Sequence, residues 1–467
     1  MADDDKAKLY KRIVQQTPDH TLLHRMRVTG FWPAGQSLPP DPADQAAERK
    51  KLEAERERLT QTQIAVKNPE KALHDERERR WAESKKRRAQ RKQQRANDRT
   101  ARREAYQAIK QVTLVHAGEG VSGGLENVRS NADLLTAHGL PLMHTSVDLA
   151  RLLNIALPRL RWLTFHRRGA ALVHYHRYGI PKKTGGLRSI SAPKPTLAKA
   201  QRWVLQHVLT PLPVEPEAHG FVTARSILTN AAPHVGKNVV LNMDVKDFFP
   251  SITFRRVKGL FKGVGYSEHV AAVLALLCTE PPRMPAELDG KKYMVALGER
   301  CLPQGACTSP AITNLLCRRL DRRLAALSAK HGFTYTRYAD DLTFSGPSRA
   351  GVGKLLKSVR SILTLEGLAE HPDKTCVMGT GRRQEVTGLT VNQKLGVDRD
   401  VVRELRAILH NARKHGLASQ NRDNLPNFGA YLKGRVEFVC MVEPARAPVL
   451  RAALQALSLI HISEPTD

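Results

Sequence analysis

Two strand-like runs in this chain end in carboxylates, and that pairing constrains the fold more than any other feature. Val239-Val240-Leu241-Asn242-Met243 leads into Asp244, and Tyr338-Ala339-Asp340-Asp341 joins the strand-like runs 333–338 and 341–345. Adjacent carboxylates at a tight turn repel each other, so a chain that keeps them needs something to offset the repulsion. An isolated Asp-Asp at a hairpin is ordinary turn chemistry. A further carboxylate closing another apolar strand is what raises this pair above that reading. If the strands are neighbours in one sheet, Asp244, Asp340 and Asp341 converge at one end of it. Oxygen donors of that kind suit hard divalent cations. Two Mg²⁺ ions roughly 3.5–4 Å apart would activate an attacking 3′-oxygen and stabilise a leaving pyrophosphate. Val245, next along the strand, is counted in the same metal-binding set.

The rest of the chain supplies a body for such a sheet. Strand-like runs at 238–245, 333–338, 341–345 and 385–392 alternate with helical runs at about 196–210, 268–278, 309–330 and 351–366, which implies an α/β or α+β core. Ahead of it, PPDPAD at 39–44 reads as a linker. From Ala46 to about Gln111 there is almost no Gly or Pro, and Ala, Glu, Lys, Arg and Gln dominate, which predicts a long helix or pair of helices. Its middle has too few apolar residues to bury a face. With bases outnumbering acids there, contact with nucleic-acid phosphates is the favoured reading over a merely solvated arm. A Gly-rich break, GEGVSGG at 118–124, separates it from the globular part.

A formal net charge of +30 across 467 residues calls for a polyanionic partner, and nucleic acid comes first. No run approaches the ~18 apolar residues of a spanning helix, and MADDDK is the wrong start for a signal peptide. A cytoplasmic protein without a membrane partner is expected. The six cysteines lack zinc spacing and read as reduced; a Cys301–Cys307 bridge is not expected.

Four ordered motifs, Asp244-Val-Lys-Asp-Phe-Phe249-Pro-Ser-Ile, Leu302-Pro-Gln304-Gly305-Ala-Cys-Thr-Ser-Pro, Tyr338-Ala-Asp340-Asp341 and His371-Pro-Asp-Lys374-Thr, resemble the successive motifs of reverse transcriptases over about residues 175–395. Within that group, Asn230-Ala-Ala-Pro-His234 and Val386-Thr387-Gly388 resemble the NAxxH and VTG elements of bacterial retron enzymes, and His219-Gly220-Phe221 strengthens the likeness. A second NAxxH string at 411–415 lies in the wrong place and is coincidental. The long N-terminal extension resembles that of the myxobacterial type.

The resemblance implies an α+β right-hand polymerase: fingers, a palm with an antiparallel sheet, and a helical thumb, preceded by a basic helical extension. The implied divisions are 1–45 for an N-terminal segment and linker, 46–117 for the extension, 125–236 for N-terminal helices and fingers, 237–395 for the palm, 396–456 for the thumb and 457–467 for a doubtful tail. That tail, LSLIHISEPTD, fits the preceding helix poorly and looks like translated adapter sequence. In the implied site, Asp244, Asp340 and Asp341 are catalytic. Arg188 contacts the dNTP triphosphate, with Lys182 and Lys183 beside it. Phe249 excludes a 2′-hydroxyl, Phe248 being the core residue if strand neighbours point to opposite faces. Gln304 and Lys374 approach the nucleotide. Asn230, His234, Val386, Thr387 and Gly388 are implied in recognising the enzyme's own RNA.

The implied partners are a structured noncoding RNA of msr-msd type serving as template and primer, dNTPs, a single-stranded DNA product and a co-encoded effector. The implied function is synthesis of branched RNA-linked DNA (msDNA) in antiphage defence. The alternatives are a group II intron or diversity-generating-type reverse transcriptase and an idle RNA-binding protein that keeps the polymerase fold.

Overall fold

The computed structural model describes residues 28–30, 42–181 and 185–462. The expectations for Lys182 and Lys183, for nearly all of 1–45 and for 463–467 lie outside the described residues. The chain divides into one compact unit ending at Ala105 and another beginning at Tyr106.

The expected pair of helices opens the described chain, at Pro42–Lys67 and Pro69–Val112. The break falls where Pro69, which has no N–H to continue a helix but suits its first turn, starts the second one. Apolar side chains in these helices stay in water; Leu59 and Trp81 are exposed. Short-range pairs such as Glu76 with Arg79 and Arg80, both at 2.8 Å, and intrinsic propensity carry the helices instead.

From Tyr106 onward the strands are β1 (Gly169–Ala170), β2 (Tyr175–Pro181), β3 (Leu187–Pro193), β4 (Val239–Lys246), β5 (Arg283–Leu288), β6 (Lys291–Ala296), β7 (Thr334–Tyr338), β8 (Asp341–Gly346), β9 (Ala369–Glu370), β10 (Cys376–Gly379), β11 (Glu385–Val386) and β12 (Leu389–Thr390). They form a small β1-β6-β5 sheet, a β2–β3 hairpin, a β11–β12 hairpin and a central sheet of order β10-β4-β8-β7, with β9 also on β4. Every pairing among these strands is antiparallel. The fold is α+β.

Strand period explains how β4 sits. Val239, Leu241, Met243 and Val245 enter one core with the helices Arg318–Lys330 and Val352–Leu365, while Val240 enters another on the opposite face. That second core also holds Val386, Leu389 and the C-terminal helices Arg399–His415, Phe428–Val442 and Ala447–Ile462. Val402, Leu405, Leu409 and Ala412 form the buried stripe of the first of these helices, as the apolar spacing predicts. The last helix runs on to Ile462, across the expected break at 457.

Three other expectations change. The run 385–392 is not one strand but a hairpin, because Thr387 and Gly388 both adopt positive φ (46° and 83°) and turn the chain in two residues. The run 309–330 is two helices meeting at Cys317. The helix at 195–204 continues as a π-helical turn, Leu205–Leu209. All six cysteines are free.

Candidate active site

The β4–β8 register sets Asp244 opposite Asp341, and Asp340 occupies the β7–β8 turn. That turn has two residues, and its first, Ala339, sits at φ +58°, a conformation a β-carbon disfavours. A buried network holds it there. Arg337, fully buried in β7, grips the equally buried Asp321 with two bonds of 2.8 and 2.7 Å. Its remaining Nη1 donates to the Ala339 carbonyl at 3.1 Å and to Asn314 Oδ1 at 2.9 Å. Asn314 in turn donates to the Gly220 carbonyl at 2.8 Å. Gly220 lies so close that a β-carbon there would meet the Ala339 nitrogen at 2.6 Å. The His219-Gly220-Phe221 string is therefore a backbone wedge under the turn.

Sequence reasoning missed Arg337, Asp321 and Asn314. Their only signal is an Arg inside an otherwise uncharged strand, since a buried charge requires a partner.

The carboxylates carry unbalanced charge. Asp244 accepts a hydrogen bond from Lys374 Nζ at 2.9 Å, and the Val245 N–H donates to the Asp340 carbonyl at 3.0 Å. Burial, and then the charge of Asp244, push the Asp340 carboxyl above its usual range, with Lys374 and Arg188 opposing. Asp341, the most exposed of the three, is pushed the same way by the protein around it and by Asp340 and Asp244.

Among the described residues, no three His, Cys, Asp or Glu side chains close into a metal cage; Asp244 is drawn to Lys374 instead. The donor chemistry still fits a hard divalent ion, because one ammonium cannot balance three carboxylates gathered at one sheet end. The Val245 side chain lies in the core, so only its main chain can join them.

Residues 180–392 match the family described as reverse transcriptase (RNA-dependent DNA polymerase). The retron Mx162 reverse transcriptase of Myxococcus xanthus is 44% identical over 389 residues, spanning 79% of this chain and 79% of that protein. The chain belongs to the retron reverse transcriptases. The retron Mx65 enzyme of the same organism is 44% identical over 313 residues, covering 67% of this chain and 72% of its own. The retron Ec86 enzyme of Escherichia coli is 37% identical over 275 residues, covering 58% and 79%.

This chain is accordingly an RNA-directed DNA polymerase of the right-hand type that depends on divalent metal and takes an RNA template. On the divisions the resemblance implies, the central sheet falls in the palm range, the β2–β3 hairpin in the fingers range, and the C-terminal helices begin in the thumb range. Among the described residues no helix is long and apolar enough to cross a membrane.

The residues expected on the nucleotide side fall as follows. Arg188 is exposed on β3, beside the Gly185-Gly186 turn of the fingers hairpin, and its charge reaches Asp340. The Gln304 carbonyl accepts from the Ser191 N–H at 2.7 Å. Gly305, at φ +112°, leaves room for β3; a β-carbon there would meet Ile190 Cγ2 at 2.9 Å. Phe248 is core and Phe249 only partly buried, as expected, but not for the expected reason. Both lie in a turn after β4, entered through Asp247 at φ +47°, rather than on a strand.

The retron-type elements are packing elements. Asn230 and His234 are fully buried, with His234 bonded through Nδ1 to Ser345 Oγ at 2.7 Å and through Nε2 to Thr336 Oγ1 at 2.8 Å. Asn230 Nδ2 reaches Thr387 Oγ1 at 3.5 Å, so the NAxxH and VTG elements touch. Asn230, His234 and Val386 are buried within the protein, whereas Gly388 is exposed and Thr387 partly so. The second NAxxH string lies within the helix Arg399–His415, where its Ala412 packs into the second core.

Proposed function

We propose that Asp244, Asp340 and Asp341, with the main chain of Val245, hold two Mg²⁺ ions for templated nucleotidyl transfer from dNTPs. The observation that carries this is the register of Asp244 opposite Asp341, with Asp340 in the adjoining turn. Bound there, the ions would supply Lewis acidity to the attacking 3′-hydroxyl and the departing pyrophosphate. The chain's own side chains do the positioning. Lys374 neutralises part of the carboxylate charge and can turn to the triphosphate, while Arg188 brings a fingers cation toward the same end of the sheet. Phe249 offers ring surface against the sugar, and Gln304 sits where the fingers hairpin meets the palm.

We extend the reading to the biology of the family. The template and primer would be a structured noncoding RNA of msr-msd type, and the product branched RNA-linked single-stranded DNA. The enzyme would act in the cytoplasm in antiphage defence, alongside a co-encoded effector. The basic helices Pro42–Lys67 and Pro69–Val112 would grip RNA phosphates, and the exposed Thr387-Gly388 turn would face bound RNA. The divisions at 117, 236, 395 and 456 serve as proposed domain limits.

The test is expression of the gene with its flanking DNA and extraction of nucleic acid. A discrete short DNA whose size shifts after RNase and debranching treatment is expected, and Asp340→Asn/Asp341→Asn should abolish it. In vitro the same pair should lose about 10³-fold or more in primer extension, the size of several kcal/mol of barrier lowering, with the melting temperature kept. Undiminished extension by that variant would reject the assignment.

A further inference from the structure

A cavity of about 500 Å³ lies at the base of the fingers, and none of the motif residues lines it. Its walls are aromatic: Tyr106, Trp162 and Phe165 line it, and Trp162 remains 39% exposed. Arg159 covers the Trp162 ring at 4.1 Å, and Arg167 covers Phe165 at 5.2 Å. The His174 ring meets Trp162 edge-on at 4.2 Å. Rings flanked by guanidinium groups are surfaces on which nucleobases stack.

Charge is the second observation. Lys110, Arg161, Arg167, Arg283 and Arg300 line the cavity, and Glu280 is the one carboxylate among its described lining residues. Glu280 is buried and already shared by Arg177, Arg283 and Arg300, at 3.0, 2.8 and 3.7 Å. That leaves it unavailable to Lys110, Arg161 or Arg167. Arg161 donates through Nη2 to the Lys110 and Thr113 carbonyls, while its Nε is buried without a partner. Buried donors are nearly always bonded, so an unmade bond here marks a missing acceptor.

We infer that this cavity binds a phosphorylated nucleoside apart from the palm, with its base against Trp162 and its phosphate toward Lys110, Arg161 and Arg167. The volume falls in the range of sites for small ligands, a few hundred Å³. The nucleotide could be free in solution or one residue of a bound RNA strand. Both present the same base and phosphate, and two probes of different length separate them. Arg300 directly precedes the Cys301-Leu302-Pro303-Gln304 segment, so a ligand here would sit behind the loop that meets the fingers hairpin.

The full-length enzyme is titrated by fluorescence anisotropy with ribose-labelled AMP and, separately, with a labelled short single-stranded RNA. EDTA is present to silence metal-dependent nucleotide binding at the palm. Trp162→Ala and Arg167→Gln are tested beside wild type, each checked by thermal melting. Each variant should weaken binding by about tenfold, the scale of one stacking or phosphate contact, while extension of a generic primer-template stays within about twofold. Weakened AMP binding supports a free-nucleotide site; weakened RNA binding with no AMP binding supports a nucleotide of the strand. If Trp162→Ala fails to fold, Arg167→Gln decides. Unchanged binding of both probes in every folded variant overturns the inference.

Discussion

Arg337 in the palm and Arg87, Arg88 and Arg91 in the helix Pro69–Val112 carry the same guanidinium group in opposite settings. Arg337 is fully buried, with Asp321, Asn314 and the Ala339 carbonyl taking its hydrogens. The three arm residues stand in water on a helix that buries no apolar face. In the palm, charge is committed to one geometry with named partners. In the arm, on the proposed reading, charge would act in aggregate, through phosphate neutralisation that any neighbouring cation can share. Mutations should therefore be large and specific in the first region, small and additive in the second.

The largest effect is expected at Arg337. Arg337→Met leaves the Asp321 carboxylate buried without a counter-charge, with only the Tyr335 hydroxyl donating to it at 2.9 Å, and urea unfolding should register a loss of about 3–5 kcal/mol. Arg337→Met/Asp321→Leu should recover most of that stability yet remain a poor polymerase, because the Ala339 carbonyl still lacks its donor. Full activity in the double variant would reduce the network to packing and erase the contrast with the arm.

His234 sharpens the palm side through pH. Burial, with the charges of His219 and Lys237 adding to it, holds its pKa down to about 3, whereas the unfolded chain binds that proton near 6.5. Its contribution to stability is thus complete above about pH 6.5 and drains away as pH falls toward 3, by up to about 1.4 kcal/mol per unit. Unfolding midpoints at pH 7 and pH 5 should differ less in His234→Gln than in wild type. Equal slopes would mean that His234 is not held neutral.

The smallest effects belong to the arm. Replacing Arg87, Arg88 and Arg91 by Gln should weaken RNA binding a few-fold and lower the salt dependence by roughly 0.7–0.9 for each phosphate left without a cation. The unfolding free energy should move by less than about 0.5 kcal/mol. A large shift in stability would show that the arm is packed rather than solvated, and the comparison would fail there.

What could be read in the residues divides along the same line. Period-2 alternation in β4, the apolar stripe of the first thumb helix and the Gly- and Pro-free arm are local patterns, so their elements were legible in advance. The order of four short motifs likewise pointed to a reverse transcriptase, and the NAxxH and VTG elements to the retron group, because motif order is written along the chain. Tertiary structure alone decided which side chains face each other across it. Thr387 and Gly388 read as part of a strand because β-formers flank them, yet their left-handed backbone makes a hairpin that meets Asn230, more than 150 residues earlier. Asn230 and His234 were legible as a motif, but their burial, which depends on everything packed around them, was not. The chain by itself marked the strands that carry its carboxylates, its charged arm and its family; the partners of Arg337 and the wedge of Gly220 against Ala339 are contacts between distant segments, which no local pattern encodes.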